Sequence, residues 1–482
     1  MTRYAAGMGT QVVTRSGTVE GVEKAGVIQF RGVPFAAPPV GENRFRPPTP
    51  ARPWTGVQMA DTFKPMAAQV KAAAGLSLLP GPEKLDWSED CLYLNVFTPA
   101  TDGDPRPGMV WIHGGGFTGG SSRDAWYNGT SFAHKGVVVV TVAYRLGALG
   151  FLHLGADFPG SGNLGILDQV AALEWVRDNI GAFGGDPANV TIFGESAGGM
   201  SVATLLGTPS AAGLFHRAIP QSGAASFVQP VDTASELAER MRTAVGGDLS
   251  GAPAEKILEA QVRVIAESVE EAGLRLPFRP VVDGDVLPRP PLDAVKGGDV
   301  SGVAIVTGTT RDEMTLFLAA SPRFSDIDEA GVVRRVGQSL YDTYREAMGA
   351  VSPRDIWVAV ESDRVFRIPA IHMAEAQSAH TADVWMYLFT WGSPLLGGAL
   401  GACHALEIPF VWNTLSVRGT DQFCGRGAEA DALSSAMHEA WVAFASTGDP
   451  GWDRYESDRR ATMVFGPDGG VVKDPLPVWS LA

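Results

Sequence analysis

The stretch Val190-Thr-Ile-Phe-Gly-Glu-Ser-Ala-Gly-Gly199 decides the fold. Four apolar or β-branched residues run into a glycine, and small residues follow the serine. That order reads as strand, sharp turn, helix. It contains G-x-S-x-G at Gly194 to Gly198, a pattern common by chance and informative only in this setting. A serine on such a turn stands clear of its own backbone. The flanking glycines let strand and helix come close. The plainer reading is a serine N-cap, which is frequent before helices. The strand before it and Gly199 after it favour an exposed nucleophile, Ser196.

Working outward, the same pattern recurs. Gly108-Met-Val-Trp-Ile-His113 is a short apolar run ending in glycines. Val137-Val-Val-Val-Thr-Val-Ala-Tyr144 is continuous and β-branched, as expected of a strand buried on both faces. Val303 to Thr307 and Val384 to Leu388 repeat it, and Leu92 to Phe97 alternates as a strand. Between them, Asp168 to Ile180 places Val170, Leu173, Trp175, Val176 and Ile180 at helical spacing. Strands alternating with helices predict an α/β fold with a large, mostly parallel sheet covered by helices on both faces. Phe30 to Pro39 carries three prolines and cannot be helix. No repeat or low-complexity linker divides the chain, so one domain over 1–482 is expected. The stretches near 66–85 and 321–361 fit the sheet poorly and read as loop and helical insertions over the site.

Composition narrows the class. Apolar residues make up 45 % and charged residues 19 % of 482 residues, enough apolar surface for a packed core. The net charge of −15 argues against nucleic acid or an anionic membrane as a partner. Cys91, Cys403 and Cys424 cannot all pair and form no CxxC, so neither a disulfide scaffold nor a thiolate metal site is indicated. The start, Met1-Thr-Arg-Tyr-Ala-Ala-Gly-Met-Gly9, lacks the charged and apolar regions of a signal peptide. Gly136 to Leu152 is interrupted by Tyr144 and Arg145 and is too short to span a bilayer. The expectation is a soluble cytoplasmic protein without membrane segments.

A serine hydroxyl is a weak nucleophile and needs a base and a site for negative charge. His113-Gly-Gly-Gly-Phe117 follows a strand, and a glycine run there turns backbone amides toward a developing oxyanion. Gly115 and Gly116 would act with the amide of Ala197. Taken alone the run is an ordinary flexible turn; beside the serine turn it reads as an oxyanion hole.

These residues resemble the type-B carboxylesterases of the α/β-hydrolase fold, in the style of bacterial para-nitrobenzyl esterases. The likeness runs nearly end to end. It includes Gly32-Val-Pro-Phe-Ala-Ala-Pro-Pro-Val-Gly41, Ser88-Glu-Asp-Cys-Leu-Tyr-Leu-Asn-Val96, Gly162-Asn-Leu-Gly-Ile-Leu-Asp-Gln169 and Phe183-Gly-Gly-Asp-Pro187. It continues through Gln221-Ser-Gly223, Gly308-Thr-Thr-Arg-Asp-Glu313, His404-Ala-Leu-Glu-Ile-Pro-Phe410 and Phe444-Ala-Ser-Thr-Gly-Asp-Pro450. The resemblance implies an ester hydrolase working through an acyl-enzyme on a small-molecule ester. It implies Glu313 as acid and His404 as base, with no metal or organic cofactor. From the residues alone, Asp312 rivals Glu313, since both follow the same strand. Four histidines, His372, His380, His404 and His438, lie beyond the acid, the order that α/β hydrolases require. Met314 stands where the family usually has glycine. Arg44 with Glu89, and Arg145 with Asp168, resemble the family's buried ion pairs. Glu195 resembles its buried acid beside the nucleophile, and Ser222 is expected to back the triad. Cys91 has no earlier cysteine to pair with and reads as a buried thiol.

Two alternatives remain at this level. A carbamate or amide hydrolase would use the same triad. A cholinesterase-like adhesion module would keep the fold and lose the triad, but every triad position is filled here. A choline-selective enzyme is disfavoured: the cation-binding Trp expected ten residues before Cys91 is replaced by Gly81, and Trp87 is displaced by six. Phe117, Met314 and Phe317 are candidates for lining the substrate pocket.

Overall fold

The β-branched runs pair into one 11-stranded sheet. In chain order its strands are β1 Val22–Lys24, β2 Val27–Pro34, β3 Tyr93–Thr98, β4 Arg106–Ile112, β5 Val138–Val142 and β6 Gly185–Glu195. They continue with β7 Arg217–Gln221, β8 Ala304–Thr310, β9 Val384–Phe389, β10 Ala461–Phe465 and β11 Gly470–Lys473. The spatial order is β11-β10-β9-β8-β7-β6-β4-β5-β3-β2-β1. From β10 to β5 every neighbouring pair is parallel, and the pairings outside that block are antiparallel. The structure is a computed structural model and describes residues 9–70, 85–268, 276–319 and 324–476.

Side-chain alternation explains why the central strands read as unbroken apolar runs. Along β4, Val110 and Ile112 enter one core while Met109 and Trp111 enter the other. Along β5, Val138, Val140 and Val142 face the first core and Val139 the second. Each core lies under its own helices. Helices α1 Leu164–Asn179 and α2 Ala197–Leu206 cover the first. The stretch after β8 supplies α3 Glu329–Val336, α4 Gln338–Met348 and α5 Pro353–Ser362, followed by α6 Ile368–Ser378. Helix α7 Ala428–Thr447 packs Met437, Trp441 and Phe444 on the second core.

The helical reading of 321–361 holds for α3 to α5. Helix α5 starts where its sequence says it should. Ser352 and Asp355 form a capping box, and Pro353 sits in the first turn, where its missing amide costs nothing. Of the stretch near 66–85, Met66–Ala67 pairs with Trp87–Ser88, and residues 71–84 lie outside those described. The alternating stretch forms strand β3, which is buried almost throughout despite its polar Asn95. Asn95 is buried but satisfied: its carbonyl accepts from the Gly32 amide at 2.9 Å and its amide donates to the Thr141 hydroxyl at 2.9 Å.

Both expected ion pairs form. Arg44 grips Glu89 through two bonds of 2.6 Å, and Arg145 meets Asp168 at 2.6 and 2.8 Å. The second pair is buried, and Asp168 also accepts from the Arg145 main chain. It fixes the segment after β5 onto α1. Replacing Asp168 with Ala strands a buried guanidinium and should cost about 3–5 kcal/mol of unfolding free energy. Urea unfolding checks this; a loss below about 1 kcal/mol would mean Arg145 finds water instead.

Candidate active site

The site gathers at the carboxyl ends of the parallel strands, where open α/β sheets place their ligand crevice. Ser196 follows β6 directly and takes φ 58, ψ −126, a conformation L-residues avoid. Its amide donates to the Gln221 carbonyl at the end of β7 (2.9 Å), and its carbonyl accepts from Met200 in α2 (2.7 Å). Gly198 is needed here, because a Cβ would overlap the Ile112 carbonyl at the end of β4. The register brings these ends together: Gly194 lies opposite Ile112, and Glu195 opposite Gln221.

The glycine loop after β4 arrives beside the turn. Gly115 has φ 117, and a Cβ there would run into the Gly119 carbonyl, so no other residue fits without shifting the loop. His113 braces it. Its Nδ1 lies 2.9 Å from the Gly114 carbonyl, its ring stacks on Tyr144 at 4.5 Å, and the Tyr144 hydroxyl donates to the His113 carbonyl at 2.7 Å. Burial pushes the His113 imidazole down to about 4, so it is neutral at physiological pH. The amides of Gly115, Gly116 and Ala197 donate to no backbone carbonyl among the described residues.

His404 and Glu313 meet. His404 Nδ1 lies 2.5 Å from Glu313 Oε2, and the other Glu313 oxygen accepts from the Thr310 amide at 2.7 Å. Both residues are buried. Asp312 does not reach the imidazole. Its carboxylate accepts from the Ala402 amide at 2.8 Å and pairs with Arg311, so it staples the histidine loop from outside. Met314 sits at φ −76, ψ −8, an ordinary helical conformation that needs no glycine. The other histidines with a bonded ring, His134, His216, His380 and His438, all bond main-chain groups.

One expected contact is missing. No hydrogen bond joins Ser196 to His404. The His404 Nε2 lies instead 3.1 Å from Glu195 Oε1, close enough for an ion pair but at an angle outside hydrogen-bond geometry. Glu195 is buried on the strand end just before the nucleophile. Ser222 is buried at φ 46, and its hydroxyl has no partner among the described residues. Phe117 and Met314 belong to the core, Phe117 against Phe151 at 5.0 Å. Phe317 is half-buried, its ring centroid 5.0 Å from that of His404. Gly81 lies outside the described residues. All three cysteines are free and buried, and burial pushes their thiols up.

Sequence reasoning missed Glu407, a third buried carboxylate, which feels the charge of Glu195, Glu313 and His404. It is fully buried, and its Oε1 receives the Gln221 amide at 3.4 Å while the Trp441 ring N–H holds the far end of Gln221 at 3.1 Å. A carboxylate three residues after His404, followed by Ile408-Pro-Phe410, was the available signal. Burial, reinforced by neighbouring carboxylates, holds Glu195 and Glu407 well above the usual carboxylate range. Their protons bind more tightly in the folded than in the unfolded chain. Stability is therefore full below the ordinary glutamate range and declines as pH rises through the raised values. Each group contributes a slope of at most about 1.4 kcal/mol per pH unit. Glu407→Gln has no such proton to lose, so its urea midpoint should decline less than wild type from mildly acid to alkaline pH. Parallel declines would show that Glu407 does not titrate in that range.

Comparison with known proteins agrees with this architecture. The profile of the carboxylesterase family matches residues 9–466. The chain is 40 % identical over 96 % of both lengths to a para-nitrobenzyl esterase of Bacillus subtilis (strain 168). It is 36 % identical over 96 % of both lengths to a phenmedipham hydrolase of Pseudarthrobacter oxydans. Among solved structures, the carboxylesterase EST55 of Geobacillus stearothermophilus superposes with a TM-score of 0.87 at 40 % identity, covering 98 % of this chain and 99 % of that one. With its mostly parallel sheet and strand-end serine turn, the chain has the α/β-hydrolase fold and belongs to the carboxylesterase family, as a serine-dependent carboxylic ester hydrolase.

Proposed function

We propose that this ester hydrolase works by two-step acyl transfer on Ser196, with His404 as base and Glu313 as its acid. The observation that carries the reading is the 2.5 Å contact between Glu313 and His404 Nδ1 beside the strained serine turn. A carboxylate on Nδ1 leaves Nε2 free of its proton and able to take one from the serine hydroxyl. Ser196 then attacks the ester carbonyl. The amides of Gly115, Gly116 and Ala197 receive the oxyanion, a role supported by their lack of a backbone acceptor. His404 returns the proton to the departing alcohol. It next draws a proton from water, which releases the acid and frees Ser196. Glu313 stabilises the imidazolium through both halves.

The contact between Nε2 and Glu195 is compatible with this route. Nucleophile–base bonds are often misaligned before substrate arrives and tighten in the reactive complex. Burial holds the Glu195 carboxyl well above its usual range, which weakens any competition with the serine for Nε2. Ser222, at the end of β7 behind the serine turn, completes the wall. We read the chain as one domain over 1–482, with the segments near 66–85 and 321–361 as insertions beside the site. A cytoplasmic location is part of the same reading, supported by three unpaired buried thiols. A carbamate or amide substrate would use the same groups.

Ser196→Ala should fold normally and lose turnover by several orders of magnitude on p-nitrophenyl esters. Glu313→Gln should lower turnover sharply, while Asp312→Asn, which touches only the loop beyond, should act mainly on stability. Measuring kcat and Tm for the pair decides it: an inactive, stable Asp312→Asn with an active Glu313→Gln would reverse the assignment. A p-nitrophenyl ester chain-length series with an aryl carbamate added separates the substrate classes.

A further inference from the structure

The helical stretch after β8 reaches the acid–imidazole pair through one irregular turn. Helix α5 does not stop at Ser362. It widens into a π-helical turn over Asp363–Arg367, where the Ile368 amide bonds the Asp363 carbonyl five residues back, and then continues as α6. Pro369 gives a reason. Its nitrogen cannot donate, and its ring would collide with the Val365 carbonyl four residues earlier. An extra residue in the turn relieves both problems. Such turns occur frequently at functional sites.

This turn is buried and braced. Asp363 accepts from Arg367 Nε at 2.6 Å and from the Tyr344 hydroxyl at 2.6 Å. Arg367 Nη1 donates to the Leu476 carbonyl at 2.6 Å. Two contacts leave the turn for the site. Just before it, the Ser362 hydroxyl accepts from the Met314 amide at 3.1 Å, one residue past Glu313. Near its end, Phe366 is fully buried with its ring centroid 4.9 Å from that of His404, and it stacks with Phe317 at 6.4 Å. Ser362 thus holds the main chain of the acid, and Phe366 limits the plane of the imidazole.

We propose that the π turn Asp363–Arg367, through Ser362 on one side and Phe366 on the other, is the positioning device of the Glu313–His404 pair. The proposal rests on the reading of those two residues as acid and base. A carboxylate–imidazole bond is directional, and small misplacements far from the reacting atoms are costly to turnover. Met314 is what couples the two elements here: its ordinary helical backbone aims its amide at Ser362.

Steady-state kinetics on p-nitrophenyl acetate, per mole of folded protein and with Tm measured alongside, tests it. Ser362→Ala and Phe366→Leu should each lower kcat by roughly ten-fold, and Ser362→Ala should leave KM within about two-fold. Both should move the acid limb of the kcat/KM profile, and Ser362→Thr, which keeps the hydroxyl, should recover most of the lost kcat. A purely structural role would lower Tm and leave kcat and the limb in place. If Ser362→Ala does not fold, Phe366→Leu, which keeps the core filled, decides. Wild-type kcat and pH limb in the folded variants, with Glu313→Gln inactive, would overturn this inference alone. A Glu313→Gln enzyme at wild-type turnover would overturn the acid–base reading beneath it.

Discussion

Everything at this site depends on the turn at Ser196 being held in a conformation it would not choose. Its φ of 58° and ψ of −126° cost of the order of 1–3 kcal/mol for an ordinary residue. The surroundings impose it: the serine amide is tied to the Gln221 carbonyl on β7 while α2 presses against the end of β4. Phe117 at φ 59, Ser222 at φ 46 and Ala405 at φ 66 share the same strain on neighbouring segments. A rigid sheet with two cores can support such a cluster: Ser196 and Ser222 directly follow the well-packed strands β6 and β7. Strain here is a means of presenting side chains and amides to one point.

The second constraint is electrostatic. Two buried carboxylates, Glu195 and Glu313, flank one imidazole, and a third, Glu407, is close enough to feel their charge. They cannot all carry charge in a low-dielectric pocket. The geometry separates them. Glu313 faces Nδ1 and takes the Thr310 amide on its other oxygen. Burial and the neighbouring carboxylates hold Glu195 and Glu407 well above the usual carboxylate range. Gln221 links the two constraints: its carbonyl anchors the serine turn, and its side chain holds Glu407.

Much of this was legible in the sequence where local pattern and chemistry coincide. Val190 to Gly199 announced a strand, a turn and a nucleophile, and the β-branched runs marked β5, β8 and β9. His113 to Gly116 announced the loop beside the serine. The residues alone left Asp312 and Glu313 open, because both follow β8, and only the family resemblance implied Glu313, the one that meets His404 in the folded loop. Glu407 was legible only as part of the histidine motif, since a lone glutamate among apolar neighbours does not show in the sequence that it is buried beside other carboxylates. Ser362 and Phe366 were beyond reach for another reason. Their link to the site is set by a π turn, which shifts helical register in a way periodicity does not reveal. Asn95 shows the reverse case, a polar residue that lies fully bonded inside β3.

The most direct measurement is to react the protein with one equivalent of a fluorophosphonate and map the adduct by peptide mass spectrometry. The account predicts a single adduct on Ser196 that forms in step with loss of ester hydrolysis. It also predicts much slower labelling in His404→Ala, because the hydroxyl then lacks its base. An adduct on any other residue that accompanies inactivation, or full activity with Ser196 completely labelled, would contradict it.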